Sequence, residues 1–159
     1  MIGRREFGMA SLSALALATA NQAVFADKTS AKSHGSHQHA SDHATSSCAE
    51  ACSDCQRECE SCATHCGHEL AEGNKEHLET LETCRDCATI CAAASQIVSR
   101  SGPFAVQICQ ACAEVCAGCA KACEKFPDDD HMKKCAKECR TCEKECRKMI
   151  GSADHARHG

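Results

Sequence analysis

Residues 48–66 read CAEACSDCQRECESCATHC. Six cysteines, at positions 48, 52, 55, 59, 62 and 66, are separated by gaps of 4, 3, 4, 3 and 4. That is the a/d seam of a heptad pattern. At the angular step of an α-helix all six fall within an arc of about 80° on one face. Between Cys48 and Cys66 there is no Ile, Val, Phe or Met, and the opposite face carries runs such as Gln56-Arg57-Glu58. A helix here has little to bury except sulfur.

The same rule holds along the chain. Cys109, Cys112, Cys116, Cys119 and Cys123 follow gaps of 3, 4, 3 and 4, and Cys135, Cys139, Cys142 and Cys146 follow gaps of 4, 3 and 4. Cys84, Cys87 and Cys91 are in phase on a further segment. Breakers separate the segments. Helix 1 is expected over about 46–72, stopping at Gly73-Asn74. Helix 2 is expected over about 75–100, stopped by Ser101-Gly102-Pro103. Helix 3 takes Pro103 in its first turn and runs to about 125, before Phe126-Pro127. Asp128, Asp129 and Asp130 suit the N-terminus of helix 4 through capping and the macrodipole, and Gly151 closes it. Short linkers imply antiparallel neighbours. The expected fold is all-α: an antiparallel up-down four-helix bundle over 46–151 with a Cys-lined core.

What precedes the bundle reads as an address and a tail. Residues 1–26 combine Arg4-Arg5, a moderately apolar Ala/Leu run and a small-residue site ending at Ala26. Arg4-Arg5-Glu6-Phe7 resembles a twin-arginine signal, which predicts export, to the periplasm, of an already folded chain. A general secretory signal is the alternative. Once the signal is removed, no membrane span is expected. Residues 27–45 lack apolar periodicity and predict a disordered tail rich in His and Ser. It contains His34, His37, His39 and His43. These suit a loose Cu(II), Zn or Ni site, or simply a solvated linker. Residues 152–159, with His155 and His158, predict a frayed end.

Composition narrows the function. Of 159 residues 18 are Cys and four are Phe, with no Trp or Tyr, and the formal charge is −4. Such cysteine density indicates a disulfide scaffold or a metal–thiolate protein. The acidic balance argues against general nucleic-acid binding. No nucleophile–base pair, phosphate-binding Gly loop or paired carboxylates in an apolar setting is evident, so no enzyme activity is implied.

Three readings of the interior compete. Buried thiols can act as small hydrophobes. They can form disulfides, but neighbours at i,i+4 have Cβ atoms about 5–6 Å apart, beyond the 3.5–4.5 Å a bridge wants. Or they can bind metal. Cys48/Cys52, Cys55/Cys59, Cys62/Cys66, Cys87/Cys91, Cys112/Cys116, Cys119/Cys123, Cys135/Cys139 and Cys142/Cys146 can each reach around one ion, leaving Cys84 and Cys109 to be shared across helices. Soft thiolates select Cu(I), Zn or iron–sulfur clusters. Zinc wants separate sites of four thiolates, and closely spaced loop cysteines of the iron–sulfur type are absent. Cu(I) accepts two thiolates and tolerates shared sulfur, and its charge offsets that of the buried thiolates. The expected cargo is therefore multiple Cu(I) per monomer. The alternatives are a metal chaperone or zinc–thiolate protein, and a thiol/disulfide redox protein.

The ladder of CxxxC and CxxC steps, the segment Cys109-Gln110-Ala111-Cys112 through Cys119-Ala120-Lys121-Ala122-Cys123-Glu124-Lys125-Phe126-Pro127, and Cys135-Ala136-Lys137-Glu138-Cys139 leading to Cys142 and Cys146 resemble the bacterial copper storage proteins. The resemblance covers about 46–150. It implies a homotetramer of bundles storing many Cu(I) ions inside, with a copper-requiring client enzyme as a partner. Exported members are similar in having a twin-arginine signal and a His-containing start to the mature chain. They often use Met near the bundle mouth, where Cys62 and Cys66 continue the stripe in this sequence. Helical phase puts His77 and His131 on or beside the stripe at one end, with Met132 flanking and His65 at the border; His68 points outward. Val98, Ala105, Ile108, Met149 and Ile150 form an apolar plug at the other end. The candidate entry residues for copper are therefore His65, His77, His131 and Met132, or else these are ordinary surface residues near loops.

Overall fold

The computed structural model describes residues 35–158. The signal-peptide reading of residues 1–26 lies outside the described residues, as does the first part of the tail, 27–34. Four α-helices follow one another: α1 Gly35–Ala71, α2 Leu78–Ser99, α3 Ala105–Cys123 and α4 Asp130–His158. A single 3-10 turn, Lys75–His77, leads into α2. Each helix packs on the helix next to it in sequence, and α4 closes the ring against α1. The bundle is antiparallel, because each connection is too short to cross over.

The breakers act through recognisable backbone chemistry. At the end of α1, Asn74 N–H donates to Glu69 O at 3.0 Å and Gly73 N–H donates to Leu70 O at 3.1 Å. Gly73 has φ 101°. This is the paired hydrogen bonding of a Schellman motif, which satisfies carbonyls that the helix leaves open. The end of α2 repeats it: Gly102 N–H donates to Ile97 O and Ser101 N–H to Val98 O, both at 2.9 Å. Here the left-handed position is held by Ser101, at φ 50°. Gly102 is tightly packed, since a Cβ there would sit 3.1 Å from Ile97 Cγ2 and 3.2 Å from Ile97 O, so a larger residue would have to push these atoms aside. Pro103 stays in this turn, and α3 begins two residues later than the sequence suggests. Asp129 caps α4, its Oδ1 accepting from Met132 N–H at 3.1 Å.

Two boundaries differ more. Residues 27–45 and 152–159 read as unstructured tails, yet α1 reaches back to Gly35 and α4 runs on to His158. Extending a helix already anchored on a core costs little per residue. Residues 36–45 hold no Pro or Gly, and Gly151 sits within α4 rather than closing it. A lone Gly weakens a helix by about 1 kcal/mol and does not end it.

The core consists mainly of Cys and Ala. Ala88, Ala94, Ala113 and Ala120 are buried between the cysteines, and the larger buried side chains gather near the ends. Val98, Ala105 and Met149 are buried at one end, with Ile108 and Ile150 packed against them, as the plug reading requires. Met132 is fully buried at the other. Among the described residues no helix is long and apolar enough to cross a membrane.

The two helix ends make opposite predictions. Ser101→Gly should raise the stability of the metal-free bundle by about 1 kcal/mol, by relieving a left-handed non-glycine residue. Gly73→Ala should lower it by about the same amount. Thermal denaturation of the reduced apo protein checks both; equal and unchanged midpoints would contradict the assignment of these turns.

Candidate metal centre

All 18 cysteines are free and buried. Helical phase turns every one of them toward the bundle axis, where sulfurs from all four helices meet. Cys48 Sγ lies 3.6 Å from Cys109 Sγ and 3.7 Å from Cys146 Sγ. Further along, Cys55 lies 3.8 Å from Cys116 and 3.7 Å from Cys139. Near the other end Cys84 lies 3.6 Å from Cys119 and 4.0 Å from Cys135. Helices diagonal to one another, α1 with α3 and α2 with α4, thus touch through sulfur across the axis.

These separations are far longer than a disulfide bond of about 2.05 Å. They approach what a bridging ion with two metal–sulfur bonds of about 2.3 Å needs. The gap-of-four pairs Cys55/Cys59, Cys87/Cys91 and Cys112/Cys116 each come to 3.9 Å. The shortest approaches, however, cross between helices, as for Cys52 with Cys146, Cys59 with Cys139 and Cys91 with Cys112, each 3.6 Å. A clasp built from one helix alone is therefore only part of the arrangement.

The sulfurs gather in fours. Cys52, Cys112, Cys142 and Cys146 form one group, with all Sγ atoms within 4.8 Å of one another. Cys55, Cys91, Cys116 and Cys142 form the next, followed by Cys55, Cys59, Cys87 and Cys139. Then come Cys59, Cys119, Cys135 and Cys139, and after them Cys62, Cys84, Cys123 and Cys135. Each group shares at least one sulfur with the next. Any single group would suit tetrahedral zinc, but closing all of them as separate zinc sites would need unshared sulfurs. A chain of shared thiolates suits a soft monovalent ion that bridges.

Protonation follows the same contacts. Cys84, Cys139 and Cys142 are pushed well above the ordinary thiol range, first by hydrogen bonds from neighbouring cysteines and further by burial. Their hydrogen-bonded neighbours Cys112 and Cys119 are pulled down by the same thiol contacts. The metal-free core is thus a network in which many thiols keep their protons at neutral pH. A soft cation must displace them.

The candidate entry end is built as a layered cap. Met132 lies in the line of sulfurs, its Sδ 3.5 Å from Cys62 Sγ. His77 is buried, stacks on Phe126 with ring centroids 4.2 Å apart, and its Nδ1 has no hydrogen-bond partner. His65 stacks on His131 at 4.7 Å and lies edge-on to His77 at 6.2 Å. The phase reading thus needs one exchange: Met132 is on the stripe, and His131 is exposed outside it. His68 is exposed, as expected. Around His77, a surface groove is lined by Glu69, Glu76, Asp128, Asp129 and Asp130.

Sequence reasoning missed two contributors. Asp129 was legible as a cap, but it also receives His65 Nε2 at 2.7 Å on Oδ2. Burial alone would raise the Asp129 carboxyl; hydrogen bonds from His65 and from Met132 N–H hold it below its usual range. Glu58, read as part of a charged outer face, is buried between α1 and α4, where Lys134 Nζ reaches its Oε2 at 2.5 Å. Position 58 borders the seam, being three residues from Cys55 and four from Cys62, and that spacing was the available signal.

Comparison with known proteins places this geometry. A family model described as copper storage protein matches residues 39–151. Copper storage protein 3 from Bacillus subtilis, in its apo form, is 37% identical over 67% of this chain and 98% of its own, with a TM-score of 0.59. Cu(I)-bound BsCsp3 has the same identity and coverage and a TM-score of 0.62. A cytosolic copper storage protein from Streptomyces lividans, solved with five coppers, is 30% identical over 71% of this chain and 97% of its own, with a TM-score of 0.66. No curated protein sequence matches significantly.

Because metal must replace protons on the raised thiols, loading should acidify an unbuffered solution. Cu(I) added anaerobically at pH 7 should release about one proton per protonated thiol it recruits, and affinity should fall as pH is lowered. A pH-stat titration that found no proton release would contradict this protonation pattern.

Proposed function

This chain belongs to the copper storage protein family, and from that membership and its continuous sulfur core we propose how it stores copper. It is a copper storage protein that binds many Cu(I) ions on Cys thiolates inside a four-helix bundle. The ligands in our reading are all eighteen cysteines, Cys48 through Cys146, acting as one shared set. The observation that carries this reading is the sharing of sulfur between successive groups of four. Each bound Cu(I) cancels one thiolate charge, so the core approaches neutrality as it fills and avoids the cost of burying unpaired anions.

Copper enters at the His/Met end. Support comes from the sulfur of Met132 beside Cys62, the unpartnered buried Nδ1 of His77, and the acidic residues around it, which raise the local concentration of cations. His65 and His131 form the outer layer. The other end is closed by the apolar side chains of Val98, Ala105 and Met149, and among the described residues no buried histidine lies there. Storage, not catalysis, is the role in this reading. The Arg4-Arg5-Glu6-Phe7 motif supports export through the twin-arginine route to the periplasm, which would let thiols fold and load before reaching an oxidising compartment. Family resemblance further supports a homotetramer that serves a copper-requiring client enzyme.

An anaerobic titration of the reduced protein, with a chromophoric Cu(I) chelator competing, tests the store. Copper should be withheld from the chelator beyond ~9 equivalents per monomer, the number reached if each ion took two unshared thiolates. Saturation at four or fewer, with zinc competing well, would favour a zinc–thiolate or chaperone role. For the entry, the combined variant His77→Ala, His131→Ala, Met132→Ala should load several-fold more slowly at unchanged capacity in stopped-flow measurements. Unchanged kinetics would rule out this route.

A further inference from the structure

Among the described residues the histidines avoid the middle of the bundle. His65, His68, His77 and His131 belong to the entry end, and five more, His37, His39, His43, His155 and His158, fall in the first part of α1 or the last part of α4. Storage of Cu(I) on thiolates gives this second group no role. The fold brings part of it together. Cys48 meets Cys146, Cys55 meets Cys139, and Cys62 meets Met132 across the α1–α4 seam. Carried outward in the same antiparallel register, position 155 comes within about one helical turn of position 43. These are the stretches that continue beyond the boundaries expected from sequence.

His43 and His155 line one open groove, together with Ala44, Ser47, Glu145 and Lys148. Both rings are exposed. His43 Nδ1 lies 3.3 Å from Ser47 Oγ. In the tautomer protonated at Nδ1, His43 donates to that hydroxyl, which orients the ring and leaves Nε2 free for a ligand, the usual outer-shell support of a metal-binding imidazole. Glu145 holds Lys148 Nζ at 2.6 Å through Oε1. Ion pairs of this kind at a surface are weak, so a dication can displace the ammonium and take the carboxylate.

We propose that His43 and His155, with Glu145, form a surface site for a divalent transition metal, at the end of the bundle opposite the copper entry. Two imidazoles and a carboxylate are borderline to hard ligands, unlike the thiolates inside. Cu(II) is the preferred occupant, because it heads the affinity order of the divalent first-row ions on such donors. The chain therefore holds copper in two oxidation states at separate places: Cu(I) in the sulfur core, and Cu(II) between the projecting ends of α1 and α4. No electron transfer between them is required.

The test uses the full chain already saturated with Cu(I), kept anaerobic so that few free thiols remain. One equivalent of Cu(II) is added and followed by electron paramagnetic resonance. The expected spectrum is a single site coupled to two imidazole nitrogens. His43→Ala and His155→Ala should each remove one nitrogen and weaken binding at least tenfold, while His68→Ala, at the other end, changes nothing. Zn(II) in equilibrium dialysis gives a redox-inert repeat, and its retention should fall in the same two variants. Loss of binding in His43→Ala but not in His155→Ala, for both metals, would assign the metal to α1 alone and overturn the two-helix site. So would wild-type binding in both variants, or no retained Zn(II) in the unaltered chain. Cu(I) capacity is measured alongside, so failure here is distinguishable from failure of the store.

Discussion

Everything in this bundle depends on sulfurs facing each other across the axis at about 3.6–4.0 Å. Helix bundles ordinarily fill that space with Leu, Ile and aromatics, whose burial supplies most of the stability. Here Cys and Ala occupy it. A thiol is small, so the four helices approach closely enough for diagonal partners to touch through side chains alone. What is lost in apolar area is exchanged for a continuous set of soft ligands. The larger apolar side chains are kept for the end caps, where Val98 and Met149 seal one end and Met132 the other.

That arrangement sets the chemistry. Free thiolates at this density would repel one another in a medium that screens poorly, and the proteins's answer is to keep many of them protonated until a cation arrives. A monovalent soft ion removes one charge per thiolate and can be shared between neighbours. A dication in closed four-sulfur sites would leave the overlapping groups short of sulfur. The overlap, more than the number of cysteines, is what distinguishes a store from a series of structural sites. The ends differ for the same reason. Access to a thiolate line needs ligands of graded softness, from exposed His131 and half-buried His65 through buried His77 to Met132 and Cys62.

The bundle and its inward-facing cysteines were legible from spacing alone. A strict 3–4 alternation in four segments admits one helical face, and Gly73-Asn74, Ser101-Gly102-Pro103 and Phe126-Pro127 mark the turns. The helix ends were less legible. Residues 36–45 and 151–158 carry no apolar periodicity, and helix propagation from an anchored segment leaves no pattern to read. Met132 and His131 exchanged places because phase within one turn of a capped start is poorly fixed by counting. Glu58 looked like a surface charge because its burial depends on α4 lying alongside. The double duty of Asp129 likewise appears only once α1 and α4 are brought together, since His65 lies far from it in sequence.

The most direct test is anomalous scattering at the copper edge from crystals of the Cu(I)-loaded protein. The account predicts a row of copper positions along the bundle axis, with individual sulfurs, Cys55, Cys59, Cys135, Cys139 and Cys142 among them, bound to more than one ion. Isolated copper positions, each enclosed by its own unshared cysteines, or copper confined to the surface with the sulfur line empty, would contradict it.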